Sequence, residues 1–255
     1  MHLHEAIALL ASLVMAISAG LMGAFAHMRR MSLAADALSH VALPGIGVAL
    51  LLGVDPLIGA VVTLLAGALL IWQLEQRTHL ATDAIIGVVF ASALALGSMI
   101  TRGEELIDAL FGDPRRMTIW EATFGVLAGL LVIAFILRRK SALVLALVSP
   151  EIAHTSGVNE GRLDLEYLMF FALTVAMGLR FLGALLMGSL IIIPAAAARR
   201  LATGLNPMLS ISAGVAVLST TLGDSLAQGI HQKSGPVIVL VGAAFFLLSL
   251  LRRRS

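Results

Sequence analysis

The chain reads as an all-α, polytopic membrane bundle of about eight to nine transmembrane helices, and three observations predict this. Of its 255 residues 59% are hydrophobic, and the mean hydropathy is +1.00. Charged residues make up 13%, about half of the ~25% usual in a soluble domain. Apolar runs repeatedly reach the roughly 20 residues that a helix needs to cross a bilayer.

Spans are predicted at about 6–27, 33–52, 56–74, 82–100, 118–137, 165–179, 181–198, 208–230 and 236–251. The first follows Met1-His-Leu-His-Glu5, which has no basic stretch, and it is long enough to span, so a cleaved signal peptide is not expected. Arg29 and Arg30 close it. The second ends at Gly53-Val-Asp-Pro56, where Pro56 also starts the third, and Arg77 closes that one. Gly112-Asp-Pro114 separates the fourth from the fifth, which stops at Arg138-Arg-Lys140. The break around Arg180 is so short that 165–198 reads either as two spans or as one tilted helix with a re-entrant piece. Asn206-Pro207 and Ser234-Gly-Pro236 introduce the last two. No soluble domain is expected, so residues 1–255 form one transmembrane domain.

Lys and Arg set the orientation. With the amino terminus outside, the inner loops hold Arg29, Arg30, Arg77, Arg138, Arg139, Lys140, Arg162, Arg199, Arg200 and Arg252 to Arg254. The outer side keeps Arg102, Arg115, Arg116, Lys233 and, at a helix end, Arg180. The bias places the amino terminus out and the carboxyl terminus in. It also accounts for the pI near 9.7 without a nucleic-acid partner. The outer loop 101–117 carries Glu104, Glu105, Asp108 and Asp113 and is slightly acidic. With no cysteine, thiolate metal sites are excluded.

The inner connection 138–164 is expected to carry its own helix at about 149–157. Ser149 is placed to cap it, Pro150 to start it, Glu151 to favour its first turn and Gly157 to let the chain leave; Ala153 lies within it. Such a short rigid knob is either a plain loop helix or a coupling helix that docks on a cytoplasmic motor.

Asp36 and His40 are the candidate site. They stand four residues apart inside the second span, on one helix face. Ionisable groups there cost roughly 2.5–3.5 kcal/mol each and mark a transport pathway or a buried pair. A carboxylate beside an imidazole suits zinc or manganese. The structural alternative is a mutual hydrogen bond that packs helices. Pro44 removes the N–H that would bond the carbonyl of His40, and Pro194 does the same for Leu190, so both helices are candidates for bending during gating. Asp224, beside Gly223 and Ser225, is a second candidate for the pathway, whereas Glu121 starts a span and reads as interfacial. Gly20-Leu-Met-Gly23, Gly183-Ala184 and Gly188-Ser189 suit close helix contacts.

These stretches resemble the permease subunits of the zinc/manganese ABC importers, the ABC-3 family. The resemblance rests on Arg29-Arg-Met-Ser-Leu33 with Asp36-Ala-Leu-Ser-His-Val-Ala-Leu-Pro-Gly45, on Thr82-Asp-Ala-Ile-Ile-Gly-Val-Val-Phe90 and on Leu110-Phe-Gly-Asp113. Ser149-Pro-Glu-Ile-Ala153 with Gly157-Val158, and Gly183-Ala-Leu-Leu-Met187 with Ile192-Ile-Pro-Ala-Ala-Ala-Ala-Arg199, extend it. Near the carboxyl end His231-Gln-Lys-Ser-Gly-Pro236 departs from the family's usual Asp-x-Pro-x-Gly-Pro.

The resemblance implies a type II ABC importer permease in a bacterial cytoplasmic (inner) membrane, working as a homodimer. Its partners would be a cytoplasmic ATPase, docking at Ser149, Pro150, Glu151, Ala153 and Gly157, and an extracytoplasmic metal-binding protein. The cargo would be zinc, or manganese or iron, with no permanently bound cofactor. The residues agree that the chain is not itself the ATPase: the only lysines, Lys140 and Lys233, follow no glycine-rich phosphate loop. An ion-coupled secondary metal carrier is the rival reading, and an intramembrane metalloprotease would need a His-Glu-x-x-His motif that is absent.

Overall fold

The computed structural model describes residues 2–31, 34–78, 80–100, 118–182 and 184–251. Within them the chain forms eleven helices and no strand: α1 His2–Met28, α2 Ala34–Val41, α3 Leu43–Leu51, α4 Pro56–Arg77, α5 Thr82–Ile100, α6 Ile119–Val148, α7 Pro150–Thr155, α8 Glu160–Leu182, α9 Ala184–Leu201, α10 Leu205–Gly229 and α11 Ser234–Leu251. Seven segments are long and apolar enough to cross a membrane, with α2 and α3 together making one of them. The outer loop 101–117, with its acidic residues and the Leu110-Phe-Gly-Asp113 stretch, lies outside the described residues. So does Arg252 to Arg254.

Packing between lipid-exposed helices gains little from the hydrophobic effect, because hydrocarbon already surrounds them; close van der Waals approach and interhelical hydrogen bonds replace it. Helix α1 shows this. It packs against α6, α9 and α10 and buries Ala11, Met15, Ala19, Met22 and Phe25 almost completely. Its Gly20 and Gly23 lie against backbone: a Cβ at Gly23 would fall 2.1 Å from the Ile191 carbonyl, one at Gly20 2.7 Å from that of Ser212. The Ser212 hydroxyl donates back to the Gly20 carbonyl at 2.6 Å. The outward faces of α4, α5 and α6 carry exposed Val62, Leu70, Val88, Leu96 and Leu131, a surface suited to lipid.

Two predicted boundaries need correction. The fifth span does not end at 137, and 138–148 is not a loop: α6 continues to Val148. A helix of 30 residues is about 45 Å long and overshoots a ~30 Å hydrocarbon core, so the basic trio rides on its protruding turns. There Arg139 meets Glu166 at 3.2 Å and Lys140 donates to Asn206 at 2.8 Å. The segment 165–198 resolves into two helices, α8 beginning five residues earlier than its predicted start, at Glu160. They fold back sharply, since a Cβ at Gly178 would strike the Met187 side chain.

Glu121 is buried and closes a capping box at the start of α6. The Thr118 N–H donates to its carboxylate at 2.6 Å, and the Glu121 N–H donates to Thr118 Oγ1 at 3.2 Å.

Candidate metal pathway

The second span is broken in the middle. Helix α2 stops at Val41, and α3 restarts at Leu43 with Pro44 in its first turn. Proline has no N–H for the His40 carbonyl, so that carbonyl lacks its regular helical partner.

Helix α2 is wedged between α5 and α9. A Cβ at Gly188 would lie 2.9 Å from both Cα and Cβ of Asp36, so only glycine lets α9 come this close. Asp36 is exposed in the single chain, while the neighbouring Ala35, Leu38 and Ser39 are buried. His40, one turn later, is half-buried, its ring 5.6 Å from that of Phe90 on α5 at 54°. Its Nδ1 is buried and has no hydrogen-bond partner among the described residues, and no hydrogen bond joins Asp36 to His40 there. The packing alternative, a bonded Asp–His pair, is not what the side chains form.

An exposed carboxylate inside a span faces hydrocarbon unless water, a second chain or a cation covers it. The imidazole brings a directional nitrogen lone pair, the carboxylate brings charge; together they are two ligands for a borderline divalent metal. Two ligands leave a four-coordinate shell incomplete. Among the described residues no cluster of three or more His, Asp or Glu completes it within one chain.

Asp224 is not brought into such a cluster. It sits on α10 where that helix meets α11, accepting from Ser234 at 2.6 Å and from Gln228 at 2.8 Å. Just past the end of α10, His231 is exposed with φ +55°, a left-handed turn that His, Asn and Asp enter more readily than most residues.

Pro194 is buried inside α9 and lines a small cavity with Leu190, Ser219 and Gly242. Ser219 Oγ is buried there without a partner among the described residues. Helix α9 nevertheless runs through the proline to Leu201.

At the other end, α7 forms as expected with one correction: Ser149 holds the capping position, but its hydroxyl makes no cap bond. Gly157, at φ +79°, turns the chain out, and the Val158 N–H donates to the Ala153 carbonyl at 3.0 Å. Ala153 is fully buried as the anchor, and Pro150, Glu151, Ile152 and His154 are left exposed.

Sequence reasoning missed Phe90 as the wall behind His40 and Gly188 as the floor under Asp36. The small-residue pair Gly188-Ser189 marked a close contact without naming its partner.

Comparison with known proteins agrees with this architecture. Residues 4–253 match the model of the ABC 3 transport family. The chain is 32% identical to the high-affinity zinc uptake system membrane protein ZnuB of Haemophilus influenzae, over 96% of each chain. It is 31% identical to the manganese import system permease protein ScaB of Streptococcus parasanguinis, over 95% of this chain and 88% of the other. Among solved structures it superposes on PsaBC from Streptococcus pneumoniae, determined in complex with Fab, with a TM-score of 0.83 and 28% identity, covering 95% of this chain and 89% of that one. The chain is a multi-pass helical membrane protein and belongs to the ABC 3 transport family.

Proposed function

We propose that this chain is the membrane-spanning permease of an ATP-driven importer that carries a divalent transition metal across a bacterial cytoplasmic membrane. Zinc is the first choice of cargo. The observation that carries this reading is the open Asp36 carboxylate one helical turn before His40, whose Nδ1 has no partner among the described residues, in a span of a chain from a transport family. A carboxylate offsets the ion's charge, an imidazole replaces part of its water shell, and too few ligands hold it to trap it.

A homodimer supports the same chemistry. A two-fold axis beside α2 would bring a second Asp36 and His40 to the ion and remove the carboxylates from lipid. The exposed knob of α7 is the docking point for a separate ATPase subunit, and an extracytoplasmic metal-binding protein delivers the ion. The chain itself moves cargo and hydrolyses nothing. Pro44 and Pro194 mark where the lining helices bend. Zinc and manganese relatives stand at similar identity, so the preference for zinc rests on the imidazole ligand.

The test is uptake of radioactive zinc and manganese by the complex in proteoliposomes, with delivery protein and ATPase present. Uptake that needs ATP hydrolysis, with zinc preferred, supports the reading. Uptake by the chain alone on an ion gradient overturns the ATP-driven assignment, and manganese preferred over zinc overturns the choice of cargo.

A further inference from the structure

Arg29 lies just past the end of α1, far in sequence from α8, yet its guanidinium is held by that helix. Its Nη2 donates to Asp164 Oδ1 at 2.5 Å. Its Cζ lies 4.4 Å from the ring centroid of Tyr167, close enough for a cation–π contact. The side chain is only 11% exposed, and Tyr167 is fully buried, its hydroxyl directed at the Met22 carbonyl of α1 at 3.5 Å. A planar, permanently charged group in so confined a place resists sliding, because it must satisfy both a carboxylate and a ring face.

Local hydrogen bonds hold both ends of this contact. On the α8 side, the Gly157 turn and the Val158-to-Ala153 bond fix α7 to the start of α8, and the Arg162 N–H donates to the Asn159 side chain at 2.9 Å. A push on the exposed face of α7 meets α6, against which α7 packs, and through the Gly157 turn the first turns of α8, which carry Asp164 and Tyr167. On the α1 side, the Arg29 N–H donates to the Phe25 carbonyl at 2.9 Å and the Met31 N–H to that of Ala26 at 2.9 Å, with Arg30 left-handed at φ +61°. The Ala34 N–H donates to the Met31 carbonyl at 3.0 Å, where α2 begins. Asp36 lies in the first turn of α2.

We infer that Arg29, Asp164 and Tyr167 form a strut that transmits displacement of α7 to α2, and so couples events at the ATPase dock to the ligand pair Asp36 and His40. The three are positioning residues. This inference rests on the proposed transport function, and one comparison separates the two: if the parent complex shows no ATP-driven zinc uptake, the transport reading fails before the strut is tested.

The experiment uses the full complex in proteoliposomes and reads zinc ions taken up per ATP hydrolysed. Arg29→Ala and Asp164→Ala are expected to lower that ratio about tenfold, within the range of ordinary coupling between sites, while hydrolysis continues. The exchange Arg29→Asp with Asp164→Arg is expected to recover part of the ratio, since it rebuilds the ion pair. If the alanine variants do not assemble, Arg29→Lys carries the test, keeping the charge without the planar face and giving an intermediate ratio. Arg139→Ala, which breaks the exposed tie between α6 and Glu166, should leave the ratio at the parent value. An unchanged ratio in every strut variant that assembles overturns the proposal. So does a parallel loss of uptake and hydrolysis, which marks a role in assembly alone.

Discussion

Two aspartates on membrane helices, Asp36 on α2 and Asp224 on α10, face opposite circumstances. Asp224 has both oxygens engaged, by Ser234 and Gln228, and ties α11 to α10. The Asp36 carboxylate accepts no hydrogen bond among the described residues, the Ser39 hydroxyl donating to the backbone carbonyl instead, and it stands exposed four residues from a half-buried histidine whose Nδ1 has no partner among those residues. A carboxylate already satisfied by neutral donors does structural work. One left open in a span calls for water, a second chain or a cation to cover it. Residue type and depth do not separate the two; what surrounds each oxygen does.

The sharpest break in this comparison is the expected split between transport and stability. Asp36→Ala and His40→Ala should each lower ATP-driven zinc uptake by at least about tenfold, since each removes one of the two proposed ligands, and Asp36→Ala should leave the thermal midpoint of the complex where it was. Asp224→Ala should do the reverse. It strands the Ser234 hydroxyl, which is largely buried, and should cost about 1–3 kcal/mol with uptake per assembled complex near the parent value. A fluorescence unfolding scan beside the uptake assay reads both quantities.

A smaller effect is expected from Gly188→Val. Its added Cβ would meet Asp36 Cα and Cβ at 2.9 Å, and overpacking of this kind costs about 1–3 kcal/mol. Uptake should fall because α2 is pushed off α9, and Gly188→Ala should do less of the same. A valine variant with parent uptake and stability would show that this contact does not set the position of Asp36. Smallest of all, Glu121→Ala opens the capping box of α6 and should cost about 1 kcal/mol, seen as a lower thermal midpoint with unchanged uptake.

Much of the fold was readable because hydrocarbon imposes simple demands on composition. Apolar length and turn residues located α1, α4, α5, α10 and α11 to within a few residues, and Pro44 marked where the second span breaks. The end of α6 was misread because Arg138-Arg-Lys140 looked like a loop. Charge reports where the chain meets water and says nothing of where a helix ends, and the partners Glu166 and Asn206 come from distant helices. The pair Asp36 and His40 stood out because charge in a span is costly. Gly188 and Phe90, which position them, are ordinary residues for a span and gain meaning only from packing. Arg29 was visible as part of a basic flank, but its grip on Asp164 bridges a separation of 135 residues and leaves no local trace.

The central claim is that the charge of Asp36 is held within a membrane span to receive a passing metal ion. Asp36→Asn tests it most directly, because the amide keeps the shape while removing the charge. Zinc uptake per ATP hydrolysed should collapse in the assembled complex while the thermal midpoint stays at the parent value; uptake at the parent rate would contradict the account.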